Sequence, residues 1–345
     1  MLRFVPAILL APALFASAGG LVVIDTDSGL FGDDGVALTM VLRSPAPVSV
    51  QAIVITPGNV WPAQGAEYTS HILDLLGRPN VPLYTGAQSP LLNSAALSRQ
   101  AARLWGPPVY AGAFAEDPAR VVPAPGAALT GRKPRPGAVE FLISEIERQP
   151  GQVTILELAP MTNLALALRL RPDIETRIKR VVFMGGAIAV SGNATPSAEF
   201  NFWFDPEAAR IVLRSRIPEK VMFGLDICNT APIHKAEFDR VAAARTPIAN
   251  LFREDLGNRY PGFLAHPEAT AYMWDSLAAA YLLDPGFVTR SETRYLDAQT
   301  TWDKSYGATI PLNRPLAPDA TPVKVMLQLD FPRVFSLYRR LLTMP

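Results

Sequence analysis

Four carboxylates crowd one short stretch near the start of the chain, Asp25-Thr26-Asp27-Ser28-Gly29-Leu30-Phe31-Gly32-Asp33-Asp34. The apolar run Leu21 to Ile24 leads into it, and an apolar-periodic stretch begins at Val36. A buried strand feeding a tight turn and then a helix brings Asp27, Asp33 and Asp34 together at the strand's carboxyl end. Like charges that close repel strongly unless something neutralises them. A hard divalent cation with oxygen ligands, Ca²⁺ or Mg²⁺, is the natural partner. A helix N-terminus alone favours Asp33 and Asp34 through its dipole, which accounts for only two of the four acids.

Three more strand ends carry unusual polar content. They are Thr56-Pro57-Gly58-Asn59, then Met184-Gly185-Gly186 with the following Asn193 and Glu199-Phe200-Asn201, and last Tyr272-Met273-Trp274-Asp275. Taken singly, Asn59 and Asn193 are ordinary turn residues and Asp275 is an ordinary helix N-cap. Taken together, they fall where an open α/β sheet places its ligands, beyond the carboxyl ends of the strands. Other chemistries lack their residues. His71, His234 and His266 are scattered without ligand spacing, and Cys228 is the only cysteine, so no intrachain disulfide or cysteine zinc cluster forms. Neither a G-x-G-x-x-G after a strand nor a G-x-x-x-x-G-K-[ST] is present.

The elements that must hold these groups alternate. Strands are expected at Leu21–Asp25, Val50–Thr56, Val81–Tyr84, Val153–Leu158, Val181–Met184 and Lys220–Asp226, then near Tyr295 and at Val323–Leu329. Helices are expected at Gly35–Arg43, Ala63–Leu76, Ala138–Arg148, Thr162–Leu170, Pro206–Arg214, Lys235–Asn258 and Asp275–Leu283, and from Phe331 onward. Ser89 to Lys133 reads as an irregular excursion. Strand–helix alternation of this kind predicts an α/β fold with a doubly wound, mostly parallel sheet covered on both faces.

The chain has 345 residues, 49% of them hydrophobic, and a net charge of +1. That balance gives no sign of a nucleic-acid surface and is too apolar for disorder. Arg3, the apolar run Val5 to Phe15 and the small-residue site Ala16-Ser17-Ala18 read as a secretory signal peptide. We expect residues 1–18 to be removed, with cleavage near Ala18. The mature protein, a single domain over residues 21–345, is then expected to be exported, periplasmic in a Gram-negative source, and free of the membrane.

From Leu21 to the C-terminal helix the sequence resembles the nucleoside hydrolases of the inosine-uridine-preferring superfamily. The resemblance rests on the acidic turn, on Thr162-Asn163-Leu164-Ala165, on Met184-Gly185-Gly186-Ala187 and on Glu199-Phe200-Asn201. It implies a Rossmann-like domain whose deep pocket holds Ca²⁺. Asp27, Asp34 and Asp275 would be carboxylate ligands, and the backbone carbonyl of Leu158 a further one. Asp33, Met184, Asn193, Glu199 and Asn201 would surround the ribose. Asp27 would take a proton from water as it attacks C1′, releasing base and ribose. The family forms dimers and tetramers, so a homo-oligomer is implied, with a small nucleoside as the only other partner.

The base subsite differs from the common pattern. Inosine-uridine hydrolases carry a histidine before the last Asp ligand, and here that residue is Trp274. The family's other pocket histidine aligns with Trp105-Gly106. Two tryptophans there resemble the purine-specific inosine-adenosine-guanosine hydrolases, with Asn59 as a further base contact. Purine ribonucleosides are therefore the expected substrates. A same-family hydrolase with pyrimidine or broad specificity is one alternative, and a non-catalytic nucleoside- or sugar-binding protein is the other. Leu30-Phe31-Gly32 stands where the common motif has one residue, and Phe31 is expected at the pocket mouth.

Overall fold

The apolar runs become strands of one ten-stranded sheet in the computed structural model, which describes residues 20–46, 48–259, 270–312 and 320–344. The proposed signal peptide and His266 lie outside the described residues. The first half of the chain supplies β1 (Gly20–Thr26), α1 (Gly32–Arg43), β2 (Val48–Ile55), α2 (Pro62–Leu75), β3 (Leu83–Thr85), α3 (Ala95–Trp105) and β4 (Arg135–Pro136). It continues through α4 (Ala138–Arg148), β5 (Val153–Glu157), α5 (Thr162–Leu170) and β6 (Arg180–Met184). Then come α6 (Phe200–Phe204), α7 (Pro206–Arg214), β7 (Lys220–Phe223), α8 (Leu225–Cys228), β8 (Pro232–His234), α9 (Lys235–Ala242) and α10 (Pro247–Arg259). The chain closes with β9 (Thr270–Tyr272), α11 (Asp275–Leu283), β10 (Val288–Ala298), β11 (Thr309–Leu312), β12 (Pro322–Leu329) and α12 (Phe331–Thr343).

Strand order is β11-β10-β12-β7-β6-β5-β1-β2-β3-β4. From β12 to β4 every pairing is parallel, whereas β10 runs antiparallel to both its neighbours. The chain winds outward from β1 through β2 and β3 to β4, then returns to add β5, β6 and β7 on the other side. The winding reverses between β1 and β5, and such a switch point opens a crevice beyond the strand ends.

Alternate strand residues feed two cores. Ile24, Ile53, Leu156, Val182 and Val221 pack with α1, α2 and α9 to α12. Val23, Val54, Ile155, Val181 and Met222 pack with α4, α5 and α7. Burial on both faces explains why the strands read as continuous apolar runs.

Several boundaries depart from expectation. The excursion from Ser89 contains α3, whose N-terminus is capped by Ser94 Oγ accepting from Leu97 N at 3.2 Å. Only Ser98 of that helix is buried, so no apolar stripe announced it. The strand expected over Lys220–Asp226 stops at Phe223, and Gly224 turns the chain into α8. The helix expected over Lys235–Asn258 is two helices, because Thr246 caps a new start through Ala249 N at 3.1 Å, followed by Pro247. The third strand lies two residues later than expected at its start, and one at its end.

Candidate active site

The acidic turn runs off the end of β1 and into α1, with Asp33 and Asp34 in the helix's first turn. The two-stranded ribbon of β8 and β9 leads into α11, which packs beside α1 and carries Asp275 in its first turn. Carboxylate oxygens of Asp33, Asp34 and Asp275 all lie within 4.8 Å of one another. Asp34 and Asp275 are buried. That spacing suits a single ion held by oxygen ligands.

Asp27 stands beside this trio. Asn59 holds it there, donating from its backbone N to Oδ2 at 2.7 Å and from Nδ2 to Oδ1 at 3.2 Å. The same Nδ2 donates to Asp34 Oδ2 at 3.0 Å, so one amide spans both acids. A Cβ on Gly58 would come within 1.9 Å of Asp27 Oδ2, so only glycine lets the carboxylate lie against the turn. Thr26 Oγ1 donates to Asp34. Asn59, expected at the base, here bonds both acids through its nitrogens.

The groups expected around the ribose also converge. Glu199 caps α6, accepting from Gly186 N at 2.8 Å, Asn201 N at 2.9 Å and Phe202 N at 3.1 Å. Asn201 Nδ2 donates to the carbonyls of Leu158 and Met184, both at 3.1 Å, and thereby ties the ends of β5 and β6 together. Asn193 Oδ1 accepts from Phe200 N at 2.8 Å. The Leu158 backbone is itself fixed through its N, which donates to Asp25 O at 2.9 Å.

Burial governs the electrostatics. It raises Asp34 to about 7, with Asp33's charge adding to the shift. Burial likewise lifts Asp27 and Asp275 well above the usual carboxylate range, helped by Asp34 for the first and Asp33 for the second. Glu199 rises to about 7 by burial, against the pull of its three backbone donors. The charge of Asp33 helps raise Asp27, Asp34, Asp275 and Glu199 alike. Carboxylates buried this way against one another disfavour their ionised forms, and a divalent cation reverses that. The donor set fits a hard cation.

Asp25 faces away from this site. It accepts from Thr56 Oγ1 at 2.7 Å, and Thr56 in turn accepts from Asn163 Nδ2 at 2.6 Å. Burial pushes it up to about 8. Its register partner on β5, Glu157, is fully buried with neither oxygen hydrogen-bonded among the described residues. Burial, then the charges of Asp25 and Asp27, hold Glu157 well above its ordinary value. Nothing in the sequence marked Glu157, which reads as one residue of an apolar strand.

Phe31 is not at the pocket mouth. It is wholly buried and meets Phe252 of α10 edge-on, with ring centroids 5.7 Å apart. Gly32 N donates to Asp255 Oδ2 at 2.9 Å. The extra residues of the turn therefore anchor it to α10. Leu30 adopts φ 77°, the left-handed region that non-glycine residues avoid, and Ser28 Oγ donates to its carbonyl at 3.0 Å.

The two tryptophan candidates have different neighbours. Trp274 immediately precedes Asp275, is half-buried, and lies tilted against Tyr272 with ring centroids 5.8 Å apart. Its indole Nε1 has no partner among the described residues. Trp105 ends α3, 37% exposed, and packs at 6.1 Å on Trp302 in an aromatic cluster with Tyr306. Tyr110 OH donates to Asn59 Oδ1 at 2.9 Å, and its ring lies 4.8 Å from Phe200.

Comparison with known proteins bears on these features. The profile described as inosine-uridine preferring nucleoside hydrolase matches residues 22–336. A pyrimidine-specific ribonucleoside hydrolase of Salmonella enteritidis is 35% identical over 297 residues, covering 84% of this chain and 87% of the relative. Its counterpart in Salmonella typhi matches to the same extent. Among solved structures, a plant nucleoside hydrolase superposes with a TM-score of 0.75 at 24% identity, over 94% of this chain and 99% of that one. A purine-preferring ribonucleoside hydrolase from Gardnerella vaginalis gives 0.72 at 24% identity, over 94% and 98%. At such identities the structures speak for the fold.

Proposed function

The chain belongs to the inosine-uridine preferring nucleoside hydrolase family, and from that premise we propose that it cleaves pyrimidine ribonucleosides to free base and ribose. Cleavage of a nucleoside's N-glycosidic bond follows from the family. The choice of base is our reading, and the 35% identity to pyrimidine-specific relatives supports it over the purine preference that the two tryptophans suggested. The observation that carries catalysis over mere binding is Asp27, a buried acid that Asn59 holds beside the carboxylates of Asp33, Asp34 and Asp275.

We assign the cluster to Ca²⁺, with Asp34 and Asp275 as ligands, joined by Asp27 and the Leu158 carbonyl. Once bound, the cation acidifies water and orients a vicinal diol. The chain's own groups do the rest. Asp27 accepts the proton of the attacking water. Asp33 and Glu199 face the sugar with negative charge, which stabilises positive charge growing at C1′ as the bond to the base breaks. Asn193 and Asn201, fixed by their backbone bonds, hold the ribose in one pose, so attack is close to intramolecular.

A second reading keeps purines as substrates, and Trp274 favours it. An indole beside a metal-ligand candidate offers a stacking face, worth about 1–3 kcal/mol per base. Ribose release from uridine, cytidine, inosine, adenosine and guanosine, each with and without chelator, decides the matter. Uridine or cytidine turnover above the purines supports the main reading, and the reverse order supports the second. No release from any of them at excess Ca²⁺ would leave a binding protein. We also propose export through residues 1–18, and N-terminal sequencing of secreted protein should begin near Gly19.

A further inference from the structure

We propose that Tyr110 is a positioning residue, whose hydroxyl sets the orientation of the Asn59 amide and through it the placement of Asp27 and Asp34. The inference rests on the nucleoside hydrolase reading of the site. Asn59 makes four hydrogen bonds. Three run from its nitrogens to the two acids, and the fourth is accepted by Oδ1 from Tyr110 OH at 2.9 Å. A side-chain amide offers two donors on one side and an acceptor on the other. With Tyr110 donating to the oxygen, both amide protons must face the carboxylates. Rotated by half a turn, the amide would aim its oxygen at two acids and its protons at a hydroxyl that prefers to donate here.

The loop carrying Tyr110 is built to hold it in place. Val109 N donates to Ala194 O at 2.7 Å, next to Asn193. Ala113 N donates to Gly58 O at 2.8 Å, next to Asn59. The Tyr110 ring rests on Phe200, between Glu199 and Asn201. Gly112 has φ 52°, and a Cβ there would lie 2.4 Å from Gly58 O and 2.5 Å from Phe200 Cζ. The loop thus touches the turn that holds Asp27, the loop that holds Asn193 and the helix that holds Asn201. One hydroxyl at that junction links the irregular excursion to the acids.

The test is Tyr110→Phe, which keeps the ring and removes the hydroxyl. We expect kcat to fall about tenfold, the size of one lost hydrogen bond, with KM changed less than about twofold. Ca²⁺ affinity by calorimetry should weaken several-fold. Asn59→Ala combined with Tyr110→Phe should be no worse than Asn59→Ala alone within about twofold, because the two act as a unit. The Asn59 side-chain amide resonances in labelled protein should shift in Tyr110→Phe, and this readout does not depend on activity. Unchanged amide resonances overturn the proposal whatever the kinetics. Resonances that shift in Tyr110→Phe, when the wild-type protein releases no ribose, would instead overturn the enzyme reading and leave the positioning role standing. Loss of kcat that adds fully to that of Asn59→Ala would also overturn it.

Discussion

Asp27 and Asp33 share the acidic turn but have different surroundings. Asp27 is held by Asn59 at both oxygens, whereas Asp33 lies within the carboxylate trio and repels every acid around it. Asp27→Asn should lower kcat by about 10²–10⁴, the usual contribution of a general base, while lowering stability by only about 1 kcal/mol. Burial already disfavours the Asp27 charge, so the cost is the one Asn59 donor that the new amide nitrogen cannot accept. Near-native kcat would remove Asp27 from the base role. A second prediction concerns protons. Folded-state values of about 8 for Asp25, about 7 for Asp34 and about 7 for Glu199 all lie above the unfolded values near 4. Between pH 4 and pH 8 the metal-free folded state therefore binds more protons than the unfolded chain, so its stability falls as pH rises through that window. Cation binding displaces those protons, so Ca²⁺ affinity should climb over roughly pH 6 to 8. Urea unfolding of chelated protein and calorimetric titration with Ca²⁺, both at several pH values, check the two slopes. Flat profiles would mean that the acids are not mutually buried as described.

At the scale of elements, the Leu30-Phe31-Gly32 turn is a strut. Phe31 fills the space against Phe252, and Gly32 N bonds Asp255 on the same helix, so α10 fixes where α1 begins. Phe31→Ala should destabilise by about 3–5 kcal/mol, as for other buried aromatic truncations. It should also weaken Ca²⁺ binding, since Asp33 and Asp34 start that helix. Unfolding in denaturant and metal titration of one preparation test both, and full Ca²⁺ affinity in a destabilised variant would separate the strut from the site. Lys220 joins other elements. Its ammonium, 1% exposed as a residue, donates to Leu213 O at 2.6 Å, Ser215 O at 2.8 Å and Thr321 Oγ1, tying the end of α7 to the segment before β12. Burial lowers it to about 7, so above that pH the unfolded chain binds the extra proton. Stability from this group therefore rises between about pH 7 and pH 10. Lys220→Met should flatten that rise, while Thr321 Oγ1 continues to serve both carbonyls, at 2.8 Å each. How far elements could be read from sequence follows from their packing. α4, α5 and α7 match expectation residue for residue, because each buries an apolar stripe against one face of the sheet. α3 is largely exposed and the five-residue α6 is buried all round, so neither shows a one-sided apolar stripe, and neither was foreseen.

The whole molecule brings together acids that the sequence keeps far apart. The resemblance named Asp275 as a partner of Asp34, and the packing of α11 beside α1 supplies the physical reason. Tyr110 was beyond reach of the sequence, because its role depends on a loop crossing to Gly58 and Phe200 that no local pattern encodes. A cation in the cluster should therefore act on global stability, since it joins the turn after β1 to a helix from the far end of the chain. No such cluster exists in the unfolded chain. A ligand that binds only the folded state stabilises it by about 2.7 kcal/mol at a hundredfold excess over its dissociation constant. For a chain of this size that corresponds to a rise in Tm of roughly 4 °C. Scanning calorimetry in chelator and then in excess Ca²⁺ measures it directly. Asp275→Asn should abolish most of the shift and leave the chelated Tm unlowered, because the residue's charge is already disfavoured by burial and by Asp33. Mg²⁺ should give a smaller shift, since it demands a tighter octahedral shell and gives up its water reluctantly. A wild-type Tm unmoved by Ca²⁺ would take the ion out of the cluster, and with it the assignment of Asp34 and Asp275 as ligands.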